Sequence, residues 1–132
     1  MLSLQLRRFL LSGLLATAVH FTVALGLIRQ GHAEPAVANA IAFVVATAFS
    51  YVINTLWSFG GVMGGHTLVR FLTVQTLGVA LAALVSGTAD RLGLHYVIGT
   101  ACVPVFVTPV TYTLHRLWTY RVRPQAQSRL ER

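Results

Sequence analysis

The sequence predicts an all-α integral membrane protein with four transmembrane helices, arranged as two helical hairpins. Three observations predict this class: the 132 residues are 55% hydrophobic, only 10% are charged, and the chain contains four long apolar runs. An average soluble domain is about 25% charged, so this chain lacks the residues for a polar surface. The net charge of +7 comes from arginines that flank the apolar runs, which favours a membrane surface over nucleic acid as the partner.

Each apolar run is long enough to cross a bilayer, which takes about 20 residues of helix. The runs are approximately 9–28, 36–56, 71–89 and 96–114. The connecting segments "RQGHAEP", "WSFGGVMGGHTLVR" and "DRLGLH" hold most of the glycines. Pro35 stands where the second helix would begin, a position that suits proline. The first run exceeds the apolar segment of a signal peptide, about 7–15 residues, so a membrane helix is the favoured interpretation.

The placement of the arginines predicts the orientation in the membrane. With four spans, one side receives Arg7, Arg8, Arg70, Arg116, Arg121, Arg123, Arg129 and Arg132. The other side receives only Arg29 and Arg91, each close to an acidic residue. Cytoplasmic segments are enriched in arginine and lysine, so both termini are predicted to be cytoplasmic.

Two pairs of similar phrases predict an internal repeat. "RFLLSGLLATA" at 8–18 resembles "RFLTVQTLGVA" at 70–80, and "YVINTLWSF" at 51–59 resembles "YTLHRLWTY" at 112–120. Each half would be a hairpin that enters and leaves on the same side, which is a parallel repeat. The sequence thus predicts one membrane domain over 1–132, with repeats at about 8–59 and 70–120 and a basic cytoplasmic tail at 121–132.

Polar residues within the second and fourth runs fall along one line of each helix at 100° per residue. The two lines are Asn39, Phe43, Ala46, Ser50, Asn54 and Trp57, and Thr100, Pro104, Val107, Thr111, His115 and Trp118. Polar groups in lipid usually face a cavity or another helix, so the lines indicate either a polar path or interhelical hydrogen bonds. The tryptophans indicate either an aromatic belt at the membrane surface or the mouth of a head-group site.

Other positions in the spans also allow two interpretations. His20 lies about 18 Å along the helix from Arg8, which places it near the middle of the membrane. It could bind a phosphate or transfer a proton, or it could be a neutral histidine with a hydrogen-bonding partner in the protein. Pro104 and Pro109 indicate either an interrupted helix beside a substrate or a static kink. Small residues at helical spacing predict packing surfaces on the first and third helices and a homo-oligomer, most simply a dimer.

The residues that enzymes need are sparse. The acids are Glu34, Asp90 and Glu131, which form no pair inside the membrane, and the single Cys102 lies in an apolar run. The five histidines are scattered without the spacing of a zinc site. The sequence therefore predicts a protein that is not an enzyme, with no catalytic residues, metal or cofactor.

The motifs "RFLLSGLLATAVHF", "NAIAFVVATAFSYVINTLWSF", "RFL" and "HRLWTY", together with the length and the four spans, resemble the GtrA family. The resemblance covers about 8–121. It implies a role in cell-surface polysaccharide assembly, in which the protein flips a sugar linked to a polyprenyl phosphate such as undecaprenyl phosphate. The flip would cross the bacterial inner membrane from its cytoplasmic leaflet. The implied partners are this lipid-linked sugar and a membrane glycosyltransferase.

This resemblance, taken with the polar lines, assigns hypothetical roles to individual residues. Phosphate capture is assigned to Arg8, Arg70, Arg116 and His20. Sugar contacts along the path are assigned to Asn39, Ser50, Asn54, Trp57, Thr111, His115 and Trp118. A guanidinium can bind two phosphate oxygens at once, although arginines at these positions also serve orientation alone.

Two alternatives to a flippase remain open at this point. One is a non-transporting scaffold that docks a glycosyltransferase. The other is a small drug/proton antiporter, which is disfavoured because such a protein needs a carboxylate within a span.

The chain departs from the usual family pattern at three positions. Many members carry an acid where this chain has His20, a basic residue where it has Thr55, and asparagine where it has His115.

Overall fold

The structure, a computed structural model, describes residues 3–121, apart from the side chains of Tyr96 and Thr100. These residues form four long α-helices: α1 (Leu4–Arg29), α2 (Pro35–Ile53), α3 (Gly65–Arg91) and α4 (Tyr96–Leu114). All four are long and apolar enough to cross a membrane, which confirms the predicted fold class. The predicted cytoplasmic position of the termini stays a prediction, and the predicted tail lies outside the described residues beyond Arg121.

The chain divides into two compact units, with the boundary between Met63 and Gly64. Helices α2 and α4 each continue into one π-helical turn, Asn54–Ser58 (the first π-turn) and His115–Thr119 (the second π-turn). Hairpin 1 consists of α1, α2 and the first π-turn, and hairpin 2 consists of α3, α4 and the second π-turn. In each hairpin, the first helix packs along the second helix and its π-turn.

The first helix of each hairpin ends in the same way. Gly31 and Gly93 follow α1 and α3 with positive φ angles of 67° and 70°, a conformation in which a side chain would be strained. The backbone N–H groups of these glycines donate to the carbonyl oxygens of Ile28 and Asp90. The N–H group that follows each glycine donates to the carbonyl oxygen one residue earlier in the helix. This is the Schellman arrangement, which satisfies carbonyl groups at a helix end and lets the chain turn sharply.

The buried side of α2 carries small residues at four-residue steps, Ala38, Ala42, Ala46 and Ser50, followed by Tyr51, and Asn54 continues the steps into the first π-turn. Small side chains let two helices approach closely in a membrane. The predicted polar line on α2 is therefore split, because Asn39, Phe43 and Trp57 are exposed whereas Ser50 and Asn54 are buried. A residue as large as Phe43 does not fit the close contact that Ala42 makes.

Helix α4 runs continuously through Pro104 and Pro109. Each proline lacks an N–H group, but both residues lie on the exposed side of the hairpin, where the helix can adjust around the freed carbonyl. The alternative of an interrupted helix beside a substrate therefore does not describe α4.

Gly78 lies at a close approach of α3 and α4. A Cβ atom added at Gly78 would lie 3.1 Å from Thr111 Cγ2 and 3.7 Å from Val107 Cγ1. We expect Gly78→Leu to destabilise hairpin 2 by about 2 kcal/mol, because the larger side chain forces the two helices apart. Reversible unfolding in bicelles measures this loss.

Gly87→Leu is the matched control, because a Cβ atom at Gly87 on the same helix meets no other atom within 4 Å. Equal destabilisation by the two substitutions would contradict close packing at Gly78.

Candidate functional site

An arginine from the first helix contacts the tryptophan of the π-turn in each hairpin. In hairpin 1, Arg8 Nη1 donates a 3.2 Å hydrogen bond to the carbonyl oxygen of Trp57, and its guanidinium carbon lies 5.6 Å from the indole centroid. In hairpin 2, Arg70 Nη1 donates to the carbonyl oxygen of Trp118 at 2.8 Å, and the corresponding separation is 5.4 Å. We refer to these two contacts as the first and second Arg–Trp pairs.

The π-turns place the tryptophans where these contacts are formed. Each turn closes through a wide backbone hydrogen bond, from Phe59 N to Asn54 O at 3.0 Å and from Tyr120 N to His115 O at 2.9 Å. The chain leaves the helix directly afterwards, so the tryptophan carbonyls lie among the last carbonyls of the helix, which lack partners within it. The arginine thus donates a hydrogen bond to this carbonyl and places its positive charge over the indole ring of the same tryptophan.

Both guanidinium groups keep unused hydrogen-bonding capacity. Arginine has five N–H donors, and a single one is used by the tryptophan carbonyl. Within residues 3–121, neither Arg8 nor Arg70 forms an ion pair with a carboxylate. Each side chain is partly exposed, so an incoming anion has access to it. Each guanidinium is already held in place by the tryptophan carbonyl, and its remaining N–H groups can bind an anion.

A cluster of buried polar side chains lies next to the first Arg–Trp pair. The Oγ atoms of Ser12 on α1 and Ser58 in the first π-turn are 2.7 Å apart. Asn54 Nδ2 donates to Ser50 O at 2.9 Å and to Ser50 Oγ at 3.1 Å. These contacts fix the amide nitrogen towards Ser50 and leave Asn54 Oδ1 buried without a hydrogen bond. Thr55, in the same turn, is fully buried.

The second π-turn is built around a histidine instead of an asparagine. His115 is 1% exposed and stacks on Phe71 of α3, with ring centroids 5.0 Å apart and an interplanar angle of 22°. Its Nδ1 lies 3.1 Å from the hydroxyl oxygen of Thr119. An imidazole can stack on a ring as an amide cannot, so the second hairpin gains an aromatic contact at the position of Asn54.

The structure brings some of the predicted site residues together and separates others. It pairs Arg8 with Trp57, Arg70 with Trp118, Ser50 with Asn54 and His20 with Asn39. Thr111 is buried one turn before His115, and its hydroxyl donates to backbone carbonyls of its own helix. Arg116 is exposed and two residues from Trp118, so the two side chains do not face each other along the helix.

Sequence reasoning missed Ser12, Ser58 and Thr119, which form part of the buried polar clusters. The signal that identifies Ser12 is its position one helical turn after Arg8, where it faces the same partner helix. Ser58 and Thr119 occupy the same place in the two repeated phrases, immediately after the tryptophan. The two hydroxyls have different partners, because Ser58 contacts Ser12 on α1 and Thr119 contacts His115 within its own turn.

Ser12→Val is expected to destabilise hairpin 1 by about 1 kcal/mol, because the buried Ser58 hydroxyl loses its partner across the helix interface. Valine stands at the corresponding position of hairpin 2, Val74, so its size is compatible with such a contact. Thr17→Val is the control, since the Thr17 hydroxyl is exposed and bonds to a carbonyl of its own helix. A thermal unfolding midpoint equal for both variants would contradict the interhelical role.

The chain is similar in sequence to three translocases or translocase homologs. The chain is 32% identical over 101 residues to the bactoprenol-linked glucose translocase of Shigella phage SfX, which covers 76% of this chain and 74% of that protein. It is 31% identical over 101 residues to the prophage bactoprenol-linked glucose translocase homolog of Escherichia coli (strain K12), with the same coverage. It is 31% identical over 102 residues to the bactoprenol-linked glucose translocase of Shigella phage SfV, again with the same coverage.

The match to a family extends over nearly the whole described chain. Residues 8–120 match the family described as GtrA/DPMS, transmembrane domain. This range begins at Arg8 and ends at Tyr120, so it includes α1 from Arg8 onward, the other three helices and both Arg–Trp pairs. The chain belongs to the GtrA/DPMS transmembrane domain family.

Proposed function

We propose that this protein moves a polyprenyl-phosphate-linked sugar from the cytoplasmic to the outer leaflet of the bacterial inner membrane. Family membership and the names of the similar translocases support the substrate class. The single observation that carries the proposal furthest is the duplicated Arg–Trp pair. Translocation needs no covalent step, so the proposed activity is transport and not catalysis.

The phosphate of the lipid-linked sugar would bind at the Arg–Trp pairs. Arg8 and Arg70 each present remaining N–H donors on a guanidinium whose orientation is already fixed. Two N–H groups of one guanidinium match two oxygens of a phosphate, and a prearranged side chain loses less conformational freedom when the ligand binds. Arg116 would contribute to attracting the anion from its exposed position in the second π-turn.

The sugar would bind beside the phosphate. The indole rings of Trp57 and Trp118 are 40% and 39% exposed, so part of each aromatic surface is open for contact with a sugar. The buried Asn54 Oδ1 is an acceptor without a donor, and a sugar hydroxyl would supply one after local opening of the hairpin. Ser50 lies beside Asn54 in hairpin 1 and would add a polar contact there. In hairpin 2, the buried Thr111 and His115 would offer the corresponding polar contacts.

The lipid tail would remain in the bilayer while the polar head group crosses. Four helices are few for an enclosed path, so we propose that a second copy of the chain forms the other wall, as a homodimer. The mass of the protein in native nanodiscs tests this point, and a monomer that retains transport would exclude it. Consumption of the sugar at the outer surface would keep the transfer downhill.

Proteoliposomes that contain bactoprenyl-phosphate glucose test the proposal. Periodate, which does not cross the bilayer, oxidises glucose in the outer leaflet and reports how fast the inner pool becomes accessible. We expect the wild-type protein to accelerate this exchange relative to protein-free liposomes. A folded protein that leaves the exchange unchanged would overturn the proposal and favour a scaffold that docks a glycosyltransferase.

A further inference from the structure

Hairpin 1 contains a further polar contact between its two helices, far from its Arg–Trp pair. His20 Nε2 on α1 lies 3.2 Å from Asn39 Oδ1 on α2, and Asn39 Nδ2 donates a 2.7 Å hydrogen bond to Pro35 O. The amide nitrogen is thus committed to a carbonyl, which leaves the amide oxygen as the acceptor towards the imidazole. His20 Nε2 must then be the donor to this oxygen, and an imidazole with one N–H group presents a lone pair at the other nitrogen, Nδ1.

An acceptor such as His20 Nδ1 without a donor is unusual inside a membrane span. His20 lies about 18 Å along α1 from Arg8 and about 14 Å from Arg29, so it is in the interior of the span. Within residues 3–121, no donor reaches Nδ1, and both His20 and Asn39 are at least partly exposed. Ionisable and polar groups at this depth are costly in lipid and generally face a partner, a cavity or a polar path.

The contact also distinguishes the two hairpins. The first helices of the hairpins align with Arg8 at the position of Arg70, and this register places Ala82 at the position of His20. The Arg–Trp pair is therefore present twice, whereas the mid-span imidazole belongs to hairpin 1 alone.

We infer that His20 and Asn39 form a hydroxyl-binding subsite, in which His20 Nδ1 accepts a hydrogen bond from a sugar hydroxyl of the lipid-linked substrate during its passage. The inference rests on the proposed transport function and specifies that this site binds the sugar part of the head group. A phosphate oxygen and the Nδ1 lone pair are both acceptors and repel each other, whereas a hydroxyl is a donor. The geometry therefore favours a sugar contact over the phosphate role predicted for His20 from the sequence.

Solid-state ¹⁵N NMR of histidine-labelled protein in liposomes tests the subsite directly. The His20 resonances are those lost in His20→Ala, and we expect them to report a proton on Nε2 and none on Nδ1. Adding bactoprenyl-phosphate glucose should shift the Nδ1 resonance, and adding bactoprenyl phosphate without a sugar should not. A protonated Nδ1, a shift with both lipids, or no shift with either at saturation would overturn the inference.

Transport provides the second readout and separates this inference from the proposed function. His20→Ala and Asn39→Leu should each slow the transfer of bactoprenyl-phosphate glucose by about fivefold, as expected for one lost hydrogen bond. Thr22→Val is the matched control, since the Thr22 hydroxyl on the same helix bonds only to Ala18 O. No transfer by the wild-type protein would refute the transport function, whereas wild-type rates in both variants would refute the subsite alone.

Discussion

Replacing Arg8 or Arg70 with lysine should reduce the rate of bactoprenyl-phosphate glucose transfer by about tenfold, which corresponds to about 1.4 kcal/mol. Lysine keeps the positive charge but lacks the planar group that bonds to the tryptophan carbonyl, covers the indole and offers paired donors to a phosphate. Because the same contact occurs in both hairpins, we expect both substitutions to be harmful. The periodate accessibility assay in proteoliposomes measures the rate.

Arg7→Lys and Arg91→Lys are the controls for these arginine variants. Arg7 precedes Arg8 and Arg91 ends α3, and both side chains are exposed. Each control keeps the charge pattern that orients the protein in the membrane, so its transfer rate should equal that of the wild type. If Arg8→Lys and Arg70→Lys also transferred at the wild-type rate, a point charge would suffice and the paired-donor geometry would be unimportant.

Phe71→Ala should lower the free energy of unfolding by about 3 kcal/mol, the low end of the range for a buried phenylalanine in a water-soluble protein. Phe71 is fully buried between α3 and the second π-turn and stacks on His115. The loss comes mainly from packing, because lipid is as apolar as the protein interior and gives little hydrophobic driving force. Reversible unfolding of the protein in bicelles measures this change.

Phe9→Ala is the matched comparison for Phe71→Ala, because Phe9 occupies the corresponding position of hairpin 1. Phe9 is only half-buried, and its ring meets Phe59 edge-on with the centroids 5.9 Å apart. We therefore expect Phe9→Ala to cost about 1 kcal/mol, in the range of a single aromatic pair. Equal losses in the two variants would mean that the His115 stack adds no stability.

The class of protein and the identity of its elements follow from composition and pattern. Long apolar runs without acids permit helices across a membrane and little else, because every backbone group in lipid needs a partner within the element. The repeated "RFL" and "LW" phrases contain the residues of both Arg–Trp pairs. The phosphate and sugar roles of these residues stay predictions until transport is measured.

Details of the polar residues depended on which side of each helix meets its neighbour. The sequence placed Asn39, Ser50 and Asn54 on one line, but the ladder of alanines on α2 packs against α1 and turns only Ser50 and Asn54 inward. The π-turns add to this difference, because a wider turn rotates Trp57 relative to a regular helix. A helical periodicity of 100° per residue predicts neither the side of α2 that packs against α1 nor the rotation caused by the π-turn.

The sequence by itself determined a four-span membrane protein with arginine-tryptophan phrases at two ends, because hydropathy and residue identity are local properties of the chain. Only the tertiary structure decided that Arg8 reaches Trp57, that His115 stacks on Phe71 and that the imidazole of His20 meets Asn39. These contacts join residues 19 to 49 positions apart in the chain, as the first and last of them illustrate. Their formation depends on how closely two helices pack, which the small residues between them set in three dimensions.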